Sequence, residues 1–127
     1  MNKLEKAIKL RTEKRFEAAE HIFKELFFED EMNANTNYQY AWLLDNLGKE
    51  KKAIKHYKKA LENNLEIEHR ADCYLGLGSS YRMIGKYKKS LKMFDNAILE
   101  FPENEELKIF RTLSLFKQKK YKKASSF

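Results

Sequence analysis

The sequence predicts an all-α fold built from repeated antiparallel helix pairs, and two observations predict it. The 127 residues include one proline and four glycines, so there are few breaks, and Lys, Glu, Leu and Ala, which favour helix, fill most segments. A small residue also recurs at Ala19, Ala53, Ser90 and Ala124, at separations of 34, 37 and 34, with an aromatic four residues later at Phe23, Tyr57 and Phe94. A period of this size marks stacked helical hairpins, each too small to bury its apolar face alone. We expect a single domain over 1–127, with repeats at about 1–33, 34–70 and 71–104 and a truncated copy at 105–127.

Each copy reads as an A helix, a tight turn and a B helix that carries the small residue and its aromatic. In the first copy Ala7 and Leu10 belong to A, Lys14 marks the turn, and Phe16, Ala19 and Phe23 belong to B. The second has Ala41 and Leu44 in A, Gly48 at the turn, and Ala53, Tyr57 and Ala60 in B, with Asn37 and Leu65 at the places held by Tyr74 and Pro102 in the third copy. Glycine suits such a turn because a left-handed helix end costs it no Cβ clash.

Between the second and third copies lie three extra residues, Glu68-His69-Arg70, expected to add one turn to a B helix. The third copy is the fullest: Tyr74, Leu77, Gly78 and Tyr81 in A, Gly85 at the turn, then Tyr87, Ser90, Phe94 and Ala97 in B, closed by Pro102. The last copy keeps Leu115, a turn expected at Lys119, then Tyr121 and Ala124, so its B helix is expected to stop after about one turn. Small residues at Ala41, Gly78, Ala53, Ser90, Ala60 and Ala97 let helices approach, and Tyr57, Tyr81 and Phe94 fill the spaces beside them.

The run Tyr74-x-x-Leu77-Gly78-x-x-Tyr81, followed by Ser90, Phe94 and Pro102, closely resembles the tetratricopeptide repeat signature W-x-x-L-G-x-x-Y…A-x-x-x-F…P. The resemblance covers nearly the whole chain, strongly from 34 to 104 and weakly at both ends. It implies a right-handed α-solenoid of about 3.5 repeats that binds another protein or peptide along a concave face lined by A helices. Gly76-Leu77-Gly78-Ser79-Ser80-Tyr81-Arg82 and Glu100-Phe101-Pro102-Glu103-Asn104 are also similar to a group of small stand-alone bacterial tetratricopeptide proteins, which implies architecture and dimerisation but no pathway.

The helical period then assigns the groove. The first A helix presents Leu4, Ile8 and Arg11, the second Tyr38, Trp42, Asp45 and Asn46 beside Asn35 and Gln39, and the third Leu75, Ser79, Arg82 and Met83 beside Asp72. Trp42 stands out because tryptophan and arginine dominate binding hot spots; the plainer alternative is half-buried packing. In chaperone adaptors of this family, Lys, Asn and Arg on the A helices grip a C-terminal carboxylate. Here the matching places hold Leu4, Ile8, Gln39, Asp72 and Gly76, so that clamp is expected to be absent and an apolar or amphipathic helix is the better ligand. Ile109, Phe110, Leu113 and Phe116 lack a capping helix, which points to self-association, with a homodimer expected, or to a fragment.

Other functions have little support. His21, His56 and His69 form no cluster with metal-ligand spacing, and His21 and His56 are expected to face outward from successive B helices. Ser79-Ser80 lacks the strand-turn-helix setting of a nucleophile, and Gly76 and Gly78 sit within a helix rather than in a phosphate loop. We therefore expect no enzyme activity, cofactor or metal. The lone Cys73 excludes an internal disulfide and suits a reducing compartment, and no window has the roughly 18 apolar residues of a membrane span, so a cytoplasmic protein without an export signal is expected.

The net charge of +7 is mostly C-terminal: −1 on residues 1–33, +3 on 34–104 and +5 on 105–127. Lysines at 49, 51, 52, 55, 58 and 59, at 86, 88, 89 and 92, and at 117, 119, 120, 122 and 123 mark turns and outer B-helix faces. They permit weak electrostatic binding of nucleic acid. Lysine outnumbers arginine about four to one and the sequence shows no obvious exposed aromatics interleaved for base stacking, so a solvated convex face is the preferred reading and no specific nucleic acid is expected.

Overall fold

The computed structural model describes the backbone of residues 1–125 and the side chains of residues 1–123. Seven helices and no strand occur among the described residues, as antiparallel helical repeats: α1 (Lys3–Thr12), α2 (Phe16–Glu29), α3 (Ala34–Asn46), α4 (Glu50–Glu62), α5 (Ile67–Met83), α6 (Tyr87–Glu100) and α7 (Glu105–Ser125). They fall into two compact units, Met1–Ile67 and Glu68–Phe127.

In the first unit the local sequence sets the helix ends. The Asn2 and Asn33 side chains accept from the backbone N–H groups of Glu5 and Thr36 at 2.8 and 2.9 Å, capping α1 and α3. Lys14 and Gly48 take the left-handed turns, at φ 62 and 73, so that Arg15 and Lys49 N–H groups reach back to the Leu10 and Leu44 carbonyls. The core is formed by Ala7, Ala19, Phe23, Ala41, Leu43, Leu44, Ala53 and Ala60, all fully buried. Small residues at the crossings and Phe23, stacked 5.8 Å from Tyr40, let these four helices pack closely.

Asn37, at the place held by Tyr74 in the third copy, is buried and donates to the Glu31 and Asn33 carbonyls at 3.0 and 2.9 Å. Its side-chain oxygen lies 2.8 Å from Nδ1 of His56, which places the His56 proton on Nδ1. His56 therefore does not face outward as the repeat register predicts. It is 8% exposed, edge-on to Phe27 at 4.9 Å and beside Tyr40 at 4.8 Å. His21, its register equivalent, is exposed. The difference follows from Asn37, which supplies a polar partner across the helix pair.

The extra residues Glu68-His69-Arg70 also fall elsewhere than expected. They lengthen α5, an A helix, rather than the preceding B helix, because α4 stops at Glu62 and Asn64 adopts φ 59, a conformation asparagine tolerates. The addition brings Arg70 to Glu100 at the far end of α6 in a two-pronged pair, Nε to Oε1 at 2.5 Å and Nη2 to Oε2 at 3.1 Å.

In the second unit Gly85, at φ 79, closes the α5–α6 turn. Phe94, Ala97 and Leu107 form a buried cluster packed by Ala71, Tyr74, Leu75, Ile98, Phe101 and Phe110. Ser90 donates to the Gly78 carbonyl at 2.6 Å and lies 2.7 Å from the Ser114 hydroxyl, tying α5, α6 and α7 together through buried oxygens. Ala97 has no exposed surface, so Ala97→Leu overpacks this cluster; we expect a loss of about 1–3 kcal/mol in a chemical-denaturation curve, and an unchanged midpoint would contradict the register.

The last repeat departs from expectation. There is no turn at Lys119: α7 runs unbroken from Glu105 to Ser125. Lys117, Gln118, Lys119 and Lys120 are good helix formers with no glycine among them, and no described residue of α7 has positive φ. The small residue expected at Ala124 lies outside the described side chains.

Candidate functional site

In the first unit the expected groove residues gather on α1 and α3. Leu4, Ile8 and Asp45 are half-buried, Asn46 is exposed, and Trp42 is 43% exposed, whereas Tyr38 is only 3% exposed. Tyr38 therefore supports Trp42 from beneath, with ring centres 6.1 Å apart, and leans on Tyr57 at 6.4 Å. The Tyr57 hydroxyl donates to the Asp45 carboxylate, linking α4 to the last turn of α3.

Arg11 completes the arrangement. Its guanidinium lies 4.1 Å from the centre of the Trp42 ring, a cation–π geometry. Nη1 donates to both the Gln39 backbone carbonyl and its side-chain oxygen at 2.9 Å, while the Gln39 amide donates to Asn35 at 3.2 Å. Arg11 is 6% exposed, yet no carboxylate among the described residues lies within ion-pair distance of it. Burial pushes its pKa down. The Trp42 ring, the Gln39 oxygens and the nearby Tyr38 and Tyr57 offset the cost of burying this cation only in part, since no carboxylate joins them.

The second unit repeats the device. Arg82 stands eight residues before Ser90, as Arg11 stands eight before Ala19, and its guanidinium lies 5.5 Å from the Phe110 ring centre on the next A helix. Its Nη1 is buried with no hydrogen-bond partner. Leu75 and Ser79 are half-buried on α5, and Met83 is exposed. On α7, Ile109 and Phe116 are 65% and 54% exposed and Leu113 is also exposed, but Phe110 is turned inward against the Phe94 cluster. Phe110 therefore belongs to the core and to the Arg82 contact rather than to the exposed stripe.

The five places of the carboxylate clamp hold side chains of a different chemistry. Leu4, Ile8 and Gly76 are half-buried without a charge, Asp72 is an exposed acid, and Gln39 is buried and occupied by Arg11. Cys73 is fully buried, and burial pushes its thiol pKa well up, which disfavours a nucleophilic thiolate. Glu66, Glu68 and His69 were not anticipated as a group, and the start of α5 brings their ligand atoms within 4.8 Å of one another. Both glutamates are exposed, and such a local acidic group carries no metal assignment. No described helix is long and apolar enough to cross a membrane.

The exposed Trp42 was legible from residue type and helical spacing. The Arg11 contact was not, since it joins residues 31 apart in sequence. Its signal was the recurrence of arginine at equal distance from Ala19 and Ser90.

Comparison with known proteins gives this arrangement a context. The sequence of residues 34–127 matches the family model described as the tetratrico peptide repeat. The fold is similar to the Arabidopsis OM64 TPR domain, with a TM-score of 0.78 at 20% identity over 88% of this chain and 90% of that one. It is similar to the second TPR domain of human RPAP3, solved with an HSP70 peptide, with a TM-score of 0.72 at 17% identity over 94% of this chain and 92% of that one. A TPR protein of Thermus thermophilus, TTC0263, aligns with a TM-score of 0.67 at 20% identity over 84% of this chain and 53% of that one. No curated protein matches the sequence significantly.

Proposed function

The chain belongs to the tetratricopeptide repeat family, and from that premise we propose that it is a non-catalytic interaction module whose first unit binds an apolar or amphipathic protein segment on the α1–α3 face around Trp42. The observation that carries this reading is the exposed Trp42 ring held between Arg11 and Tyr38. A large aromatic fixed in one orientation presents apolar area without an ordering cost on binding, which is the character of a hot spot. The α5 face with Leu75, Ser79, Arg82 and Met83 offers the same chemistry in the second unit. The peptide-bound RPAP3 domain gives the precedent of a related fold holding a peptide. The places of the clamp residues point away from recognition of a terminal carboxylate at those positions.

The test compares the wild type with a Trp42→Ala, Arg82→Ala double variant in a pull-down. Loss of partners with an unchanged melt is expected, with affinity falling by about 2 kcal/mol or more for the Trp42 change alone. Recovery of the same proteins by both forms would remove the surface from consideration.

A further inference from the structure

We propose that the α1–α3 face carrying Arg11 and Trp42 receives helix α7 of a second copy of this chain, with the carboxylates of Glu105 and Glu106 meeting Arg11 and the Ile109–Leu113–Phe116 stripe lying on Trp42. The inference rests on reading that face as an interaction surface, and it names the occupant.

The receiving half lacks a counter-charge. Arg11 is almost fully buried, its hydrogen bonds go to neutral oxygens, and no described carboxylate pairs with it. Supplying a carboxylate there offsets a desolvation cost already present in the free protein, so the contact gains more than a new surface ion pair would. Against this cation, 4.1 Å from its guanidinium to the ring centre, lies the exposed apolar ring of Trp42. The fitting ligand is thus an acidic group followed by apolar side chains.

Helix α7 carries that combination on one exposed face. Positions 105, 109, 113 and 116 lie at intervals of four, four and three, so at 3.6 residues per turn Glu105, Ile109, Leu113 and Phe116 share a stripe about 16 Å long. All four are exposed, as is Glu106, while the opposite face buries Leu107 and Ser114. Within its own unit Glu105 has only a surface contact to Lys108, at 3.4 Å. An exposed apolar stripe headed by acids and a cation stacked on an exposed tryptophan are complementary in charge and chemistry. Because one chain holds both halves, two copies can exchange them reciprocally about a two-fold axis, which closes the assembly.

The experiment follows the mass of the full chain by light scattering across a concentration series, together with emission from Trp42, the only tryptophan. The expected result is a monomer–dimer equilibrium in which the emission shifts to the blue as dimer forms. Glu105→Lys/Glu106→Lys changes only exposed positions and should weaken association about tenfold or more, with Phe116→Ser as an independent second variant. Mixing the Glu105→Lys/Glu106→Lys chain with an Arg11→Glu chain should restore a mixed dimer, provided the latter shows the wild-type helical spectrum. A wild type that stays monomeric to its solubility limit overturns the inference, and so does a dissociation constant untouched by the α7 variants. If Trp42→Ala abolishes association while the α7 variants do not, the occupant is wrong and the surface stands; if neither affects it, association uses another face and self-binding at Trp42 fails too.

Discussion

Phe94→Ala should lower the stability of the chain by about 3–5 kcal/mol, the cost of emptying a fully enclosed aromatic site. Phe94 has no exposed surface and is the largest side chain of the Phe94–Ala97–Leu107 cluster that joins α6 to α5 and α7. Its ring fits because residue 78 is glycine: a Cβ built there would stand 2.6 Å from the ring tip and 2.7 Å from a neighbouring ring atom. Gly78→Ala alone should therefore overpack the site and cost about 1–3 kcal/mol. In a Phe94→Leu background the shorter side chain vacates that space, so the two changes should cost less together than the sum of each. Chemical denaturation of the four proteins closes the cycle. Additive losses, or a Phe94→Ala penalty under about 1 kcal/mol, would mean that the α5–α6 crossing is not packed through this glycine–phenylalanine contact.

That crossing is legible in the sequence. Gly78 and Phe94 fall in register with the repeat, and the turns at Lys14, Gly48 and Gly85 occur where the spacing placed them, each with a positive φ. Periodicity succeeds here because one helical hairpin is a local object and its small and large positions repeat with the chain. It fails where a single residue redirects its neighbourhood. Asn64 ends α4 and hands Glu68, His69 and Arg70 to α5; lysines in place of a glycine carry α7 through Lys119; and Asn37 turns His56 inward. The exposed residues of the candidate surface could be named from their spacing, but not what holds them. The Arg11–Trp42 stack, the Arg82–Phe110 contact and the burial of Tyr38 all arise between helices, where sequence offers no direct measure of distance.

The buried Asn37–His56 pair sets a second large effect, which depends on pH. Burial first, and then the nearby Lys55 and Lys59 charges, hold the His56 pKa down at about 4, against an ordinary value of 6.5. Above pH 6.5 the imidazole is neutral in both the folded and unfolded chain, and it adds no pH dependence. Between 6.5 and 4 the unfolded chain binds a proton that the folded one refuses, so stability falls with decreasing pH, by about 2 kcal/mol at pH 5 and about 3 kcal/mol once both forms are protonated. The Arg70–Glu100 pair acts lower in the scale. Hydrogen bonding to Arg70 holds the Glu100 pKa below its ordinary 4.5, so that contribution is present above 4.5 and is lost only as pH falls further. The decline between pH 6.5 and 4.5 is thus assignable to His56, and His56→Gln should flatten it even if it lowers stability at pH 7. Urea unfolding at pH 7, 6 and 5 for both proteins measures the slope. A wild-type curve that is flat across this range, or an equal slope in the variant, would show that the ring is protonated in the fold and that the Asn37 contact does not hold it neutral.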